Sequence, residues 1–230
     1  MIEVKQFPYR KDNLGYLVYG GRTAVAIDPG ESGPVLEYLR KQGLTLREIR
    51  NTHSHGDHIC GNRELAEATG AEVIGPGETG RFELEGDRVE VIPAPGHTPD
   101  SVVFYSPGWL ISGDTLFIAN AGNCPPPRLP VFRESLDRLL ALPEDTVVYP
   151  GHDYTARSLR RAQEIEPGNP DLERFSRGYR PPPVASTIGD EKKINPYLRT
   201  DSPAVIAYLR REGLPAATPE ERFRSMVCGE

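Results

Sequence analysis

Apolar residues in the N-terminal part of the chain fall in short stretches bounded by glycine, proline or aspartate. Short stretches of this kind, rich in Val, Ile, Tyr and Phe, are typical of β-strands. Turn-forming residues separate them, most clearly at Asp28-Pro29-Gly30 and Pro107-Gly108. The pattern predicts strands at residues 2–7, 15–19, 23–27, 48–52, 72–74, 89–92, 102–105, 109–112 and 147–149.

Segments in which apolar residues have helical spacing lie between these predicted strands. Ser32 is expected to cap a helix that carries Pro34 in its first turn, runs to about Lys41 and ends at Gly43. Further helices are predicted at residues 62–69 and 155–166, and around Leu136, Leu139 and Leu140.

The pattern changes after Pro167. Three consecutive prolines at 181–183 form a stiff break, and the rest predicts helices at 203–211 and 219–226 with no further strand. We therefore expect an α/β domain over residues 1–165, followed by a small helical region over residues 166–230.

Composition and charge exclude several classes of function. The 230 residues carry 27 basic and 33 acidic side chains, a formal net charge of −6, so neither nucleic acid nor an anionic membrane is expected as a partner. The chain has no apolar stretch long enough to span a membrane and no signal-peptide pattern, which predicts a cytoplasmic protein. Its cysteines, Cys60, Cys124 and Cys228, fit neither a disulfide framework nor a zinc knuckle.

All five histidines lie in three short motifs, and the first motif, residues 52–58, holds three of them. Residues two apart in an extended chain point to the same face, so His53 and His55 can bind one ion. A turn at Gly56 then lets Asp57 and His58 reach a neighbouring position. Four such side chains would crowd a single tetrahedral ion, so the motif predicts two adjacent metals.

The other two histidines and a further carboxylate each follow a predicted strand. His97 lies in Pro-Gly-His-Thr-Pro, Asp114 in Ser-Gly-Asp-Thr and His152 in Pro-Gly-His-Asp-Tyr. Together with the first motif they supply enough ligands for a two-metal site. Nitrogen and oxygen ligands without thiolate suit zinc, iron or manganese, and the sequence does not choose among these metals.

These motifs, in this order, resemble those of the metallo-β-lactamase superfamily. The resemblance covers about residues 1–165 and implies an αββα sandwich with a metal site at one edge. It implies that Asp28 supports the ligands. The ligand sets it implies are His53, His55 and His97 for one metal and Asp57, His58 and His152 for the other, with Asp114 bridging the two.

A pair of metals about 3.5–4 Å apart lowers the pKa of a bridging water and polarises a carbonyl group. We therefore expect hydrolysis of an acyl compound by a metal-bridging hydroxide. Asp114 and Asp57 are the expected catalytic residues, because Asp114 would hold both metals and Asp57 would orient the hydroxide.

Within the superfamily, the chain is similar to glyoxalase II, the hydroxyacylglutathione hydrolase, both in the metal domain and beyond it. That family cleaves a hydroxyacyl thioester such as S-D-lactoylglutathione, and its helical C-terminal region binds the thiol part. The resemblance places Tyr154 and Arg199 at thiol-binding positions. The similar segments are 113–117, 149–155, 164–170, 185–191 and 195–199.

One loop departs from the family pattern. Where glyoxalase II carries a basic residue after the 113–117 segment, this chain has Asn123. Either Arg128 replaces that cation, or the thiol carrier is not glutathione. Asn123 is therefore a third candidate for substrate binding.

Two other functions stay open on the sequence. Persulfide dioxygenase, an iron enzyme of the same fold, is similar over 51–59 and 149–154 and holds its iron with residues that match His53, His97 and Asp114. A non-catalytic metal-binding module is disfavoured by the intact set of ligands. The oligomeric state is not indicated by any pattern.

Overall fold

Two β-sheets form the centre of the protein, seen in a computed structural model that describes residues 2–229. The first sheet has five strands in chain order, antiparallel from β1 to β3 and parallel from β3 to β5. They are β1 (Glu3–Tyr9), β2 (Asn13–Tyr19), β3 (Thr23–Ile27), β4 (Thr45–Arg50) and β5 (Glu72–Val73).

The second sheet has six strands, and the later part of the chain completes it. Its members are β6 (Gly80–Leu84), β7 (Asp87–Pro93), β8 (Val102–Ser106), β9 (Trp109–Gly113), β12 (Val147–Pro150) and β13 (Ser186–Thr187). Their order in space is β13-β12-β9-β8-β7-β6, with β9 and β12 parallel. A separate two-stranded ribbon is formed by β10 (Leu116–Phe117) and β11 (Asn120–Ala121).

The alternating direction of the side chains along β2 shows which face of the first sheet meets the second sheet. Tyr16 and Val18 share one core cluster with Phe104 and Ile111 of the second sheet, whereas Leu17 between them belongs to another cluster. Neighbouring residues of a strand point to opposite faces. The two sheets therefore pack face to face, and each has an outer face that helices must cover.

Helices cover both outer faces. Leu39 of the first helix packs with Leu65 of the third on the outer face of the first sheet, and Phe132 of the fourth packs on the second sheet. The layers are thus helix, sheet, sheet and helix, which confirms the predicted α/β class and αββα sandwich. These helices are α1 (Ser32–Gln42), α2 (Gly56–Ile59), α3 (Asn62–Thr69) and α4 (Leu129–Leu140).

The remaining helices form the C-terminal region. Ile165, Val205 and Met226 join three of them in a small core of their own. No helix of residues 2–229 is long and apolar enough to cross a membrane. The helices are α5 (Thr155–Ile165), α6 (Pro170–Gly178), α7 (Ile188–Ile194), α8 (Pro203–Arg211) and α9 (Pro219–Cys228).

The C-terminal region also contains a strand, so the expectation of no strand after residue 167 was wrong. β13 pairs antiparallel with β12, with Thr187 opposite Val147. A strand of two residues is too short to show an alternating pattern, so no pattern of residues predicts it. The domain boundary between residues 165 and 166 stays a prediction.

The start of α1 also differs from the expectation. Ser32 is the first residue of the helix and Glu31 occupies the cap position, with no side-chain cap hydrogen bond. The predicted end is correct, because Gly43 adopts a left-handed conformation (φ 66°) directly after the helix.

Glu191 of α7 ties the C-terminal region to the loop between β10 and β11. Its side chain is fully buried, and Oε2 accepts hydrogen bonds from the Ala119 amide at 3.0 Å and from Asn195 Nδ2 at 2.7 Å. Burial raises the pKa of Glu191 to about 8, although the hydrogen bonds from Asn195 and Ala119 oppose the rise.

We expect this carboxyl group to make the protein less stable as the pH rises from about 5 to about 8. The unfolded chain releases the proton near pH 4.5 and the folded chain near pH 8, so the folded state binds more protons between them. The free energy of unfolding therefore falls with pH, by at most about 1.4 kcal/mol per unit. In urea unfolding across this range, the free energy of unfolding of Glu191→Gln should depend less steeply on pH than that of the wild type. The exposed control Glu212→Gln should keep the wild-type pH dependence. A wild-type slope in Glu191→Gln would contradict the expectation.

Candidate metal centre

Seven histidine and aspartate side chains meet at one edge of the sandwich, each just beyond the end of a strand. The loop after β4 leads into α2, and the other positions follow β7, β9 and β12. These seven are the residues predicted as ligands, and the structure brings all of them together: His53, His55, Asp57, His58, His97, Asp114 and His152.

The first group consists of three histidines. His55 Nδ1 lies 3.0 Å from His53 Nε2 and 3.1 Å from His97 Nε2. Nitrogens bound to one tetrahedral zinc at about 2.0–2.1 Å lie about 3.3 Å from each other. The three rings therefore converge at a spacing that fits a single metal ion.

The second group is formed by Asp57, His58 and His152. The two Nε2 atoms of His58 and His152 are 3.2 Å apart, and Asp57 Oδ2 is 3.6 Å from His152 Nε2. This spacing also fits one ion. The second group lies beside the first, since the ring centres of His53 and His58 are 4.1 Å apart.

Asp114 lies between the two groups. Its Oδ1 is 3.5 Å from His58 Nε2, and its Oδ2 is 3.6 Å from His97 Nε2 and 3.4 Å from His152 Nε2. Oδ1 is buried and has no hydrogen-bond partner among the described residues. A buried carboxylate oxygen without a partner is costly, and a cation between the groups would satisfy it. The site therefore fits a pair of metal ions.

Hydrogen bonds fix the tautomers of two histidines in the first group, His97 and His53. The Asn123 carbonyl can only accept, so His97 Nδ1, at 2.9 Å, carries the proton. Thr52 Oγ1 donates to Asp28 Oδ2 at 2.6 Å and is left to accept from His53 Nδ1 at 3.0 Å. The Nε2 lone pairs of His53 and His97 are therefore both directed at the site.

Carboxylates fix the tautomers of the two histidines of the second group in the same way. His58 Nδ1 donates to Asp28 Oδ2, and His152 Nδ1 donates to Asp12 Oδ1, both at 3.0 Å. Each bond leaves the Nε2 atom of the ring free to bind a metal. Asp28, expected to support the ligands, is fully buried and contacts His58 directly.

The charges of the site suit metal binding. Burial raises the pKa of Asp114, but the contact with His152 and the nearby histidine charges outweigh it and lower the pKa to about 2. Burial, reinforced by the charge of His58, lowers the pKa of His53 to about 4. Burial also lowers the pKa of His58, yet Asp28 outweighs it and raises the pKa to about 9. At neutral pH Asp114 is therefore ionised and His53 is neutral, as metal binding requires, and binding of a metal at His58 would require the loss of a proton from that ring.

Asp12, in the turn between β1 and β2, and Asn13, the first residue of β2, both belong to the site, and sequence reasoning missed them. Asp12 holds His152, and Asn13 Nδ2 donates to Asp57 Oδ2 at 2.9 Å. The same turn is joined to the β12 loop by backbone hydrogen bonds, from Leu14 N to the Gly151 carbonyl at 2.9 Å and from Asp153 N to the Asp12 carbonyl at 2.7 Å. One turn therefore positions two of the three ligands of the second group.

We expect Asp12→Ala to weaken metal binding at the second group by about 10- to 100-fold, because His152 loses the acceptor that fixes its tautomer. Competition with a metal-sensitive chelator measures the affinity, and the exposed neighbour Lys11→Ala is the matched control. Equal affinities for both ions in Asp12→Ala and Lys11→Ala would show that Asp12 does not position His152.

The three predicted substrate residues lie in different surroundings. The Tyr154 ring stacks on His152 with centres 4.9 Å apart and planes within 5°, and burial raises its pKa to about 12, so its phenol is neutral. Asn123 lies beside His97 through its carbonyl group. Arg199 instead donates through Nε to Glu166 Oε2 at 2.9 Å. Substrate binding by each of the three stays a prediction.

Sequence comparison identifies the family. The metallo-beta-lactamase superfamily model matches residues 12–86 and 73–152, and the model of the hydroxyacylglutathione hydrolase C-terminus matches residues 153–226. The hydroxyacylglutathione hydrolase of Chromohalobacter salexigens is 38% identical over an alignment of 237 positions, which covers 93% of this chain and 92% of that protein. The chain belongs to the hydroxyacylglutathione hydrolase family of the metallo-beta-lactamase superfamily.

A second relative of the same name and two solved structures are also similar to this chain. The Vibrio cholerae hydroxyacylglutathione hydrolase is 34% identical over 226 residues, 90% of each chain. The crystal structure of ETHE1 from Myxococcus xanthus superposes with a TM-score of 0.69 at 26% identity, over 99% of this chain and 100% of that one. The structure of TTHA1623 in a di-iron-bound form superposes with a TM-score of 0.59 at 25% identity, over 85% and 100% of the two chains.

Proposed function

We propose that this chain is a metal-dependent hydrolase of a hydroxyacyl thioester, with S-D-lactoylglutathione as the model substrate. The observation that carries the proposal is the match of the C-terminal region, which holds none of the metal ligands, to the hydroxyacylglutathione hydrolase C-terminus. The relatives of 34–38% identity that cover nearly the whole chain carry that same name. The intact metal centre supplies the chemistry for the hydrolysis.

Two divalent ions held by the two ligand groups would supply an activated water and polarise the thioester carbonyl. We propose zinc, which the nitrogen and oxygen donors suit; iron is the second candidate, since TTHA1623 has been seen in a di-iron form. We propose His53, His55 and His97 as ligands of one ion, Asp57, His58 and His152 as ligands of the other, and Asp114 as a ligand of both. The close approach of these side chains supports the assignment.

The protein's own residues hold and orient the reacting groups. Asp114 stays ionised between the two groups because its pKa is about 2. Asp57 is fixed by Asn13 and lies partly exposed beside His152, where its carboxylate can accept a hydrogen bond from the attacking water. The neutral phenol of Tyr154 can donate a hydrogen bond to the substrate next to this site.

One feature of the site favours a second candidate, the persulfide dioxygenase. His53, His97 and Asp114 form a set of two histidines and one carboxylate, with Asp114 Oδ2 3.6 Å from His97 Nε2. Such a set with open positions is typical of non-haem iron oxygenases.

The assay that separates the two candidates uses protein loaded with either zinc or iron. We expect release of free thiol from S-D-lactoylglutathione and no oxygen uptake with glutathione persulfide. Oxygen uptake by the iron-loaded protein, without thioester hydrolysis by either form, would support the dioxygenase and contradict the hydrolase.

A further inference from the structure

The loop between β7 and β8, which carries His97, lies against the N-terminal part of α4. Three side chains of this part have the spacing of residues on one face of a helix, and each of them contacts the loop. Arg128 directly precedes the first residue of α4, and the other two, Phe132 and Ser135, lie within the helix. We call the surface formed by these three residues the α4 face.

The α4 face packs closely on the loop. A Cβ atom at Gly96 would lie only 2.1 Å from Phe132 Cδ2, so the aromatic ring rests directly on the backbone of this glycine. Ser135 Oγ lies 2.9 Å from the Pro95 carbonyl oxygen, within hydrogen-bond distance. Both Phe132 and Ser135 are buried. The position of the loop is therefore set by the helix on which it lies.

Arg128 makes the contacts of the α4 face that reach His97 itself. Its Nε donates to the Gly96 carbonyl at 2.9 Å, and its Nη2 donates to the His97 carbonyl at 3.0 Å. A guanidinium group is planar and presents its donors in a fixed fork, so it can hold two neighbouring carbonyl groups in one geometry. Hydrogen bonds from a charged donor are also stronger than those from a neutral donor. Arg128 thereby fixes the backbone of His97.

The ring of His97 is fixed by the same segment of the chain. The Asn123 carbonyl, five residues before Arg128, accepts from His97 Nδ1 at 2.9 Å. His97 Nε2 is then directed at the candidate metal centre, 3.1 Å from His55 Nδ1 and 3.6 Å from Asp114 Oδ2. Residues 123–135 therefore hold both the backbone and the ring of this histidine.

These contacts bear on the role of Arg128. The sequence allowed Arg128 to replace the cation that glyoxalase II carries where this chain has Asn123, and such a cation would contact the substrate. In the structure, two of the three guanidinium nitrogens of Arg128 donate to carbonyl groups of the His97 loop instead. A role in placing the loop fits these partners better than a role in binding the substrate.

We propose that Arg128 is a positioning residue, which acts through His97 and sets the geometry of the first ligand group. The inference deepens the proposed function, and its kinetic test rests on that function. Its metal-binding test does not, because the affinity for zinc can be measured without a substrate.

The test compares Arg128→Gln, Arg128→Lys and the control Arg133→Gln as full-length proteins. Arg133 lies on the same helix and pairs with Asp137 at 3.2 Å. Competition with a chromogenic chelator should show that one of two zinc ions binds about tenfold more weakly in Arg128→Gln than in the control. Arg128→Lys keeps the charge but lacks the planar fork, so we expect it to stay at least about threefold below the control in affinity.

Kinetics of the zinc-loaded proteins separate positioning from substrate binding. The substrates are two thioesters of the same hydroxyacyl group, one of glutathione and one of N-acetylcysteamine, which has no carboxylate. Because a displaced His97 affects the metal centre and not the thiol part of the substrate, Arg128→Gln should lower kcat about tenfold for both thioesters by the same factor. Arg128→Lys should restore only part of this loss.

Two results would overturn the role of Arg128. The first is a zinc affinity of Arg128→Gln equal to that of Arg133→Gln. The second is a loss confined to the KM of the glutathione thioester and fully restored in Arg128→Lys, which would make Arg128 a cation that binds the substrate. If the zinc-loaded wild type hydrolyses neither thioester, the proposed function fails, and the zinc affinities alone decide whether Arg128 positions His97.

Discussion

Replacement of Asp114 by alanine is expected to lower kcat/KM for thioester hydrolysis by at least about 100- to 1,000-fold. The side chain lies within 3.6 Å of histidine nitrogens from both groups. Its removal leaves Asp57 as the one carboxylate among the proposed ligands to balance the charge of two ions. Metal analysis should therefore show about one ion per chain or fewer in Asp114→Ala.

The control for this substitution is Asp137→Ala, which removes an exposed aspartate of α4 that pairs with Arg133 at 3.2 Å. Asp137→Ala should keep both the metal content and the rate of the wild type. An Asp114→Ala protein that hydrolyses thioesters at the wild-type rate would exclude a role for Asp114 in the reaction.

Replacement of Asp28 by alanine is expected to destabilise the protein by about 3–5 kcal/mol. Asp28 is fully buried and accepts hydrogen bonds from the Thr52 amide at 2.7 Å, Thr52 Oγ1 at 2.6 Å and His58 Nδ1 at 3.0 Å. Alanine leaves these donors unsatisfied inside the protein. It also adopts poorly the left-handed backbone of this position, where φ is 50°.

Asparagine at position 28 separates the contribution of the backbone conformation from that of the negatively charged acceptor. It tolerates the left-handed backbone but cannot act as the negative acceptor for His58 Nδ1. We therefore expect Asp28→Asn to lose less stability in urea unfolding than Asp28→Ala, and to bind metal about 10- to 100-fold more weakly than the wild type. Wild-type metal affinity in Asp28→Asn would show that Asp28 has a purely structural role.

The sequence predicted the seven side chains that meet at the candidate metal centre because each one lies in a short motif that follows a strand. The reason given for His53 and His55 was only partly right. An extended chain was expected to place them on one face, but β4 ends at Arg50 and the two histidines lie in the irregular loop that follows. Their nitrogens still approach to 3.0 Å, because the loop folds over the site.

The residues that support the ligands could not be found in the same way. Asp12 contacts His152 across 140 positions of the chain, and an Asp-Asn pair between two strands has the composition of an ordinary turn. Only the packing of distant segments gives this side chain its role.

The central claim is that two bound metals drive thioester hydrolysis. The most direct test strips the protein with a chelator, adds zinc in steps and follows the rate of S-D-lactoylglutathione hydrolysis. The account predicts negligible activity in the stripped protein and a rise that levels off at about two ions per chain. Full hydrolytic activity in the stripped protein, or none at any zinc ratio, would contradict it.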